Sequence, residues 1–112
     1  MAELLKDIQT YWDMRAGGFS DASMEERKTE PGKRWENIFR NSLEEGCTVL
    51  DDGCGAGFFT TLLASMGYQV TAVDYSPKML EEVRKNLDAE NLKADLKQMD
   101  VQNLEFPDNS FD

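Results

Sequence analysis

The chain has 112 residues, of which 40% are hydrophobic and 30% are charged, the size and composition of one globular domain. Its 22 acidic and 12 basic residues give a formal net charge of −10, and no cluster of Lys and Arg offers the positive surface that nucleic-acid binding requires. Histidine is absent, which excludes Ser-His-Asp and Cys-His catalytic sets and every zinc site with a His ligand. We therefore expect no metal site and no nucleic-acid partner.

The cysteines and the apolar runs indicate the compartment. Cys47 and Cys54 are too few for a disulfide framework and wrongly spaced for a zinc knuckle, so two reduced thiols are expected. The N-terminus lacks the basic and apolar segments of a secretory signal. The longest mostly apolar run, residues 58–66, is much shorter than the roughly 20 residues that span a bilayer. These features predict a soluble, cytoplasmic protein without a membrane partner.

The N-terminal third predicts two helices separated by a loop. Residues on the apolar face of the first helix are Leu4, Leu5, Ile8, Tyr11 and Trp12. Gly17-Gly18 is expected to end this helix, and the polar stretch 18–32, closed by Pro31-Gly32, predicts a mobile loop with room for a short helical turn after Ser23. The buried face of the second helix is predicted to hold Trp35, Ile38, Phe39, Ser42 and Leu43, with Gly46 as its C-terminal cap.

After Gly46 the pattern alternates between strands and helices. Short apolar runs at 47–50 and 68–73 predict strands covered on both faces, and a weaker strand is predicted at 96–99. Between them lie a helix over 58–66 and a helix that starts with Ser76 as N-cap and Pro77 at its first position. Leu80, Val83 and Leu87 are expected to form the buried face of the helix that starts at Ser76. Glu81 and Lys85 are expected to pair on its solvent-exposed face. This order predicts an α/β fold with a parallel sheet, and residues 107–109 form a turn.

A glycine-rich loop lies between the first of these strands and the helix that follows it. Residues 49–57 read Val-Leu-Asp-Asp-Gly-Cys-Gly-Ala-Gly, and glycines at such a turn let a ligand approach the backbone amides. The glycine spacing is G-x-G-x-G, whereas the dinucleotide fingerprint is G-x-G-x-x-G. Asp51 at the end of the strand would repel a pyrophosphate and would suit a ligand with a cationic group.

Two further carboxylates end the other two strands. Asp74 stands where an acidic side chain can accept hydrogen bonds from both hydroxyls of a ribose; the alternative is an aspartate that merely caps the next helix. Asp100 could accept from the exocyclic amine of a base, or could be an ordinary loop aspartate. The three carboxylates together fit a nucleoside that carries a positive charge and no phosphates.

Residues 47–112 resemble the first half of a class I S-adenosylmethionine-dependent methyltransferase. The resemblance rests on residues 49–57 (VLDDGCGAG), 70–80 (VTAVDYSPKML) and 99–107 (MDVQNLEFP), and is strongest to the small-molecule methyltransferases related to ubiquinone and menaquinone biosynthesis. It implies a partial Rossmann-like three-layer sandwich with parallel strands in the order 3-2-1 and flanking helices, in which the family's fourth to seventh strands are absent. Residues 1–46 would form a cofactor lid, and residues 47–112 a truncated cofactor-binding domain.

The resemblance also implies a role for each site residue, with S-adenosyl-L-methionine as the cofactor. Gly53, Gly55 and Gly57, with Cys54 among them, would bring backbone against the methionine part, and Asp51 would face its ammonium group. Asp74 would hold the ribose, Tyr75 and Met79 would flank the adenine, and Asp100 and Val101 would meet its edge. Tyr11 and Arg15 would reach the methionine carboxylate. Met79 could equally be helix packing, and Tyr11 with Trp12 could be core while Arg15 is surface. No catalytic residue is assigned.

The sequence departs from the family pattern in two places. Asp52 replaces the branched apolar residue usual in the family, so either the strand end is more open than in relatives or Asp52 has a partner that the sequence does not identify. The family continues from a segment like residues 110–112 into a fourth strand beside the first. Without that strand the first strand is an exposed edge, which predicts a homodimer or higher assembly; a truncated fragment is the competing explanation.

The sequence is compatible with four functions. The sequence favours a methyltransferase that acts on a small-molecule acceptor, with catalysis by these residues alone in question. A non-catalytic cofactor-binding or interaction module that assembles through the sheet edge is the alternative. A nucleotide-binding oxidoreductase is disfavoured by Asp51 and by the glycine spacing. A purely structural α/β domain would bind no ligand.

Overall fold

A computed structural model describes residues 2–112 as four helices beside one three-stranded sheet. The helices are α1 (Ala2–Arg27), α2 (Glu30–Ser42), α3 (Phe58–Ser65) and α4 (Pro77–Ala89). The strands are β1 (Thr48–Asp52), β2 (Gln69–Asp74) and β3 (Asp95–Gln98). Within the described part of the chain, no helix combines the length and apolar character needed to cross a bilayer.

The sheet confirms the predicted α/β topology. β1 pairs in parallel with β2, and β2 pairs in parallel with β3, in the spatial order β1-β2-β3. Each crossover contains a helix, as parallel neighbours require. The predicted strands differ from the observed ones by only one or two residues at their ends. β1 therefore lies at one edge of the sheet and β3 at the other.

The helices of the α/β part lie on one face of this sheet. Val70 packs with Leu63 of α3, and Ala72 packs with Val83 and Leu87 of α4. Val70 and Ala72 are two residues apart in β2, so both side chains point to the same face. On the other face Lys97 lies over the ring of Phe106, in the C-terminal segment that follows β3.

Asp112 lies beside the edge of β1 that does not face β2. The Cys47 carbonyl accepts from the Gln69 amide at 3.0 Å, so the backbone groups of Thr48 point away from β2. The Thr48 carbonyl accepts from the Asp112 amide at 3.0 Å, and the Thr48 amide donates to Oδ2 of Asp112 at 2.9 Å. The backbone of Asp112 thus lies beside the first residue of β1.

The predicted end of the first helix is wrong. α1 continues through Gly17-Gly18 for 26 residues, and most of the expected mobile loop at 18–32 is helical. Its buried positions are Ala16, Ser20 and Ser23, whose small side chains allow α1 to lie close against α4. Tertiary packing thus outweighs the low helix propensity of two glycines, roughly 1 kcal/mol each relative to alanine.

The second helix also begins earlier than predicted and buries less. Pro31 lies in its first turn and Gly32 is buried there, so this pair starts a helix instead of closing a loop. Trp35 and Ile38 remain 38% and 49% exposed, so the predicted buried face is only partly formed. The chain leaves the helix at Leu43, and the predicted glycine cap instead lies in the turn before β1.

The start of α4 is as predicted, whereas its surface ion pair is not. The Ser76 hydroxyl accepts from the Met79 amide as N-cap, and Val83 and Leu87 are buried. The expected pair between Glu81 and Lys85 is absent from the described residues. Each instead joins a residue three positions away, Glu81 with Lys78 and Lys85 with Glu82.

Glycine substitutions test the continuity of α1. A Cβ at Gly17 or Gly18 would meet no atom within 4 Å, so alanine should gain helix propensity without a clash. We expect Gly17→Ala and Gly18→Ala each to raise the free energy of unfolding by about 0.4–1 kcal/mol in urea titrations. Gly32→Ala is the contrasting variant: its Cβ would overlap the Arg27 carbonyl oxygen, and we expect a loss of about 1–3 kcal/mol. Destabilisation by Gly17→Ala would contradict a continuous α1.

Candidate functional site

The predicted carboxylates lie at the same end of three adjacent strands. Asp51 is the last residue but one of β1, Asp74 ends β2, and Asp100 follows β3 by two residues. Neighbouring strands are about 4.8 Å apart, so parallel pairing places the three strand ends side by side. This arrangement is what the sequence predicted for a site at the carboxyl edge of the sheet.

The glycine loop adopts the conformation for which only glycine is well suited. Gly53, Gly55 and Gly57 have φ of 72°, 55° and 96° respectively, all in the left-handed region. A Cβ at Gly57 would lie 3.1 Å from a methyl group of Val83, so this glycine also allows α4 to approach. At Gly53 a Cβ would meet nothing within 4 Å, which leaves open space beside the loop.

The loop amides are used inside the protein, which corrects the expectation that they would be free for a ligand. The amides of Gly53 and Cys54 both donate to the Val73 carbonyl at 2.9 Å. The Gly55 amide donates to Oδ2 of Asp74 at 2.9 Å, and that of Gly57 to the Cys54 carbonyl at 3.1 Å. The loop therefore offers a ligand close approach to the backbone, and its glycine amides are not free donors.

Asp74 links the glycine loop to the start of α4. Besides the bond from Gly55, its Oδ1 accepts from the Ser76 amide at 2.9 Å. Ser76 itself supplies the N-cap of α4. The alternative that Asp74 merely caps this helix therefore accounts for its bond from the Ser76 amide but not for its bond from the Gly55 amide. Each carboxylate oxygen has a second lone pair, which leaves Asp74 able to accept further hydrogen bonds.

Asp51 is a partly desolvated carboxylate directed at α3. Its Oδ2 accepts from the Thr60 hydroxyl at 2.6 Å. Burial raises the pKa of Asp51 above its usual 3.8, and the Asp52 and Asp74 charges add to this, while the bonds from Thr60 oppose it. A negative charge here is therefore costly without a cation, which suits the predicted ammonium partner.

Burial distinguishes Cys54 from Asp52, the two side chains on either side of Gly53. Burial raises the pKa of the Cys54 thiol, and the charges of Asp51 and Asp74 raise it further, so the thiol stays protonated at neutral pH. Cys54 is buried and packs with Ala72, Val83 and Leu87, so it is a packed residue of the loop. Asp52 is exposed, so of the two explanations offered for this unusual carboxylate the open strand end is the one observed.

The residues expected at the adenine lie along the β2–α4 corner and the loop after β3. The Tyr75 carbonyl accepts from the side chain of Gln98 at 3.1 Å, which ties these two segments together. Oδ1 of Asp100 accepts from the Gln102 amide at 2.9 Å, and Val101 is 48% exposed. Met79 is only 1% exposed and packs with alanines of α1 and the glycine loop, so its observed position is that of the packing alternative.

Tyr11 and Arg15 lie one turn apart on α1. Tyr11 is 49% and Trp12 38% exposed, so the alternative that these two aromatics belong to the core is wrong. The Arg15 guanidinium lies over the Tyr11 ring, 4.5 Å from its centroid. The structure shows no direct hydrogen bond from either residue to the three strand-end carboxylates.

A cleft of about 400 Å³ opens beside the glycine loop. Phe19 of α1, which lies close to Gly55, lines this cleft together with Trp35, Phe58 and Phe59. Asp51 lines it as well. A cleft of this volume, mostly apolar and lined by the half-buried carboxylate of Asp51, has the character of a small-molecule site. A larger groove of about 680 Å³ lies near the amino ends of the strands and contains none of the predicted site residues.

Several residues at this site were not found from the sequence. Phe19 was assigned to a loop because the glycine pair before it predicted a helix end. Thr60 lies in the first turn of α3, directly after the loop, and that position was its only signal. Gln9, Asp13 and Asn86 reach the site from helices through long-range hydrogen bonds, which leave no local pattern.

The known proteins that this chain resembles are methyltransferases. A family model described as a methyltransferase domain matches residues 49–112. A ubiquinone biosynthesis O-methyltransferase from Methylocella silvestris is 35% identical over 68 residues, which cover 61% of this chain and 27% of that protein. A malonyl-[acyl-carrier protein] O-methyltransferase from Erwinia pyrifoliae is 42% identical over 64 residues, covering 57% and 23%.

A solved structure supports the same grouping. The S-adenosylmethionine-dependent methyltransferase from Methanosarcina mazei superposes with a TM-score of 0.62 at 34% identity, over 67% of this chain and 38% of that chain. The chain thus spans about a quarter of the length of the two curated relatives described above.

Proposed function

The chain belongs to the class I S-adenosylmethionine-dependent methyltransferases, and from that premise we propose that the carboxyl edge of its sheet binds the cofactor for methyl transfer to a small-molecule acceptor. The observation that carries the proposal is the alignment of Asp51, Asp74 and Asp100 on adjacent strand ends around a loop whose three glycine amides are already bonded. Such a site favours a cationic nucleoside over a phosphate-bearing one.

Each part of the cofactor has a matching group in this proposal. Asp51 faces the ammonium group, which supplies the cation that its desolvated carboxylate lacks. Asp74 accepts from the ribose hydroxyls with its remaining lone pairs. The adenine lies against Tyr75 and contacts Asp100 and Val101 at its edge.

The methionine end of the cofactor would lie toward the cleft beside the glycine loop. Gly53 borders that cleft, and the open space at its Cα lets backbone and ligand come close. Arg15 with Tyr11 is proposed to reach the methionine carboxylate. In this way α1 would close over the cofactor, which is the lid role expected for residues 1–46.

Methyl transfer requires the chain to position the reacting groups more than it requires proton transfer. The sulfonium group of the bound cofactor supplies an activated methyl group. The residues described here bind the cofactor, fix its orientation and shield it, and alignment of reacting groups alone can contribute about 7–11 kcal/mol to catalysis. The absence of histidine is therefore compatible with the family's reaction.

A small-molecule acceptor is supported by one of the two relatives, and a small acyl group carried on a protein is named for the other. The Methylocella silvestris protein is named for ubiquinone biosynthesis, and the Erwinia pyrifoliae protein for a malonyl group on an acyl-carrier protein.

Calorimetry with two ligands tests the cofactor assignment. We expect S-adenosylhomocysteine to bind the purified chain with saturating heat at one ligand per chain, and NAD to give no saturable signal, because the site lacks a phosphate cradle. Preference for NAD would overturn the proposal in favour of an oxidoreductase, and binding of neither would favour a structural domain. Release of label from methyl-labelled cofactor, over a panel of small acceptors, then separates an enzyme from a binding module.

A non-catalytic module is the second candidate, favoured by the free edge of β1. Backbone groups on that edge face away from β2, and over residues 2–112 Asp112 is hydrogen-bonded to Thr48 alone. Such an edge can take another strand. The homodimer or higher assembly expected from this edge stays a prediction, as does the cytoplasmic location.

A further inference from the structure

A chain of hydrogen bonds connects α1 to the glycine loop through Asp74. Oδ1 of Asp13, in the middle of α1, accepts from the Ser76 hydroxyl and from the Lys78 amide, the latter at 3.3 Å. The Ser76 amide donates to Oδ1 of Asp74, and Oδ2 of Asp74 accepts from the Gly55 amide, both at 2.9 Å. Four consecutive groups, from α1 to the loop, are thereby held in one arrangement.

Two further contacts fasten α1 to the same region. Nε2 of Gln9 donates to the Tyr75 carbonyl at 3.3 Å. Nδ2 of Asn86 donates both to the Ser20 hydroxyl at 2.8 Å and to the Ala56 carbonyl at 3.0 Å, which joins α1, α4 and the loop. Gln9 of α1 therefore reaches the backbone at the start of α4 directly, and Ser20 is linked to the loop backbone through Asn86.

We propose that Asp13 is a positioning residue for cofactor binding, which acts through Ser76 to fix the Asp74 carboxylate. Asp13 touches no predicted ligand position itself. Its bonds from the Ser76 hydroxyl and the Lys78 amide hold the backbone at the start of α4, and the Ser76 amide in that backbone holds one oxygen of Asp74, so the other lone pairs of that carboxylate point in one direction. The inference rests on the proposed function, because it takes Asp74 as the ribose-binding group.

The physical consequence is a coupling between docking of α1 and binding of the nucleoside. A carboxylate held in one orientation before binding loses less conformational freedom when the ligand arrives, so affinity rises. Coupling of this kind is reciprocal: whatever factor docked α1 adds to ligand affinity, the ligand adds to the docking of α1. Asp13 is the residue through which this factor would be transmitted.

Variants of Asp13 measure the effect. We expect Asp13→Ala to weaken S-adenosylhomocysteine binding by about tenfold, equivalent to about 1.4 kcal/mol, in calorimetry at a temperature where circular dichroism shows the variant folded. Asp13→Asn retains Oδ1 as an acceptor for both donors, so its affinity should stay within about threefold of wild type. Asp7→Ala, the same change on an exposed position of α1, is the control and should leave affinity unchanged.

The outcomes separate this inference from the proposed function. Failure of the wild-type chain to bind S-adenosylhomocysteine would overturn both. Normal binding by wild type together with unchanged affinity in folded Asp13→Ala would overturn the positioning role alone. An Asp13→Asn variant as weak as Asp13→Ala would also overturn it, because acceptance of the hydrogen bonds would not be what matters.

Hydrogen exchange gives a second test. Saturating S-adenosylhomocysteine should slow exchange of the α1 amides around Asp13 by about tenfold in wild type and by much less in folded Asp13→Ala, which keeps the direct contacts proposed for Tyr11 and Arg15 and loses only the hydrogen-bond chain. Amides of α2, which the hydrogen-bond chain does not reach, should change much less. Equal protection of α1 and α2 would show general stabilisation by the ligand and would contradict the specific coupling.

Discussion

Replacement of Asp74 by alanine is expected to reduce the affinity for S-adenosylhomocysteine by roughly 10- to 150-fold. The estimate takes the 1.5–3 kcal/mol or so of hydrogen bonds to a charged group, at about 1.4 kcal/mol for each factor of ten. The same change removes the acceptor of the Gly55 and Ser76 amides, so the loop and the start of α4 lose their common anchor. Calorimetry measures the affinity, and thermal unfolding measures the accompanying loss of stability.

Asp95→Ala provides the matched control for this prediction. Asp95 begins β3, at the opposite end of the sheet from the site, and is exposed. We expect its affinity to equal that of wild type. An Asp74→Ala variant that is folded and binds as tightly as Asp95→Ala would remove the ribose-binding role of Asp74.

Asp51→Asn is expected to change stability and binding in opposite directions. Burial raises the pKa of Asp51, so the ionised carboxylate destabilises the folded state relative to the protonated one. Asparagine keeps an acceptor for the Thr60 hydroxyl without the charge, so the variant should be more stable than wild type at neutral pH. Its affinity for S-adenosylhomocysteine should fall by about tenfold or more, because the ammonium group loses its counter-charge.

The pH dependence of the free energy of unfolding tests whether the pKa of Asp51 is raised in the folded state. The pKa in the folded state lies above the unfolded value of 3.8, so the favourable contribution of the protonated group is complete below pH 3.8 and is lost as pH rises through the folded pKa. The stability difference between Asp51→Asn and wild type should therefore vanish in acid and grow toward neutral pH. Denaturant titrations at a series of pH values measure it.

Two results would contradict this account of Asp51. A variant less stable than wild type at neutral pH would mean that the charge is compensated within the chain. Unchanged ligand affinity would mean that the carboxylate does not face the ammonium group. The opposite signs of the two effects make Asp51 an example of stability given up for binding, as is common at functional sites.

The sequence alone determined the α/β topology, the strand ends and the family. Those features depend on local patterns: apolar runs at 47–50 and 68–73, the Ser76-Pro77 start of α4, and glycines at positions that need positive φ. The alignment of Asp51, Asp74 and Asp100 followed as well, because parallel strands bring their carboxyl ends to the same edge. The family comparison over residues 49–112 agrees with that reasoning.

Only the tertiary structure decided how the N-terminal third meets the site. Gly17-Gly18 predicts a helix end locally, yet α1 continues because Ala16 and Ser20 pack against α4 and stabilise the helix from outside. Asp13 reaches Ser76 across 63 positions, and no local pattern encodes such a contact. Helix propensity contributes at most about 1 kcal/mol per residue, so packing between distant segments determines where α1 lies and which of its side chains support Asp74.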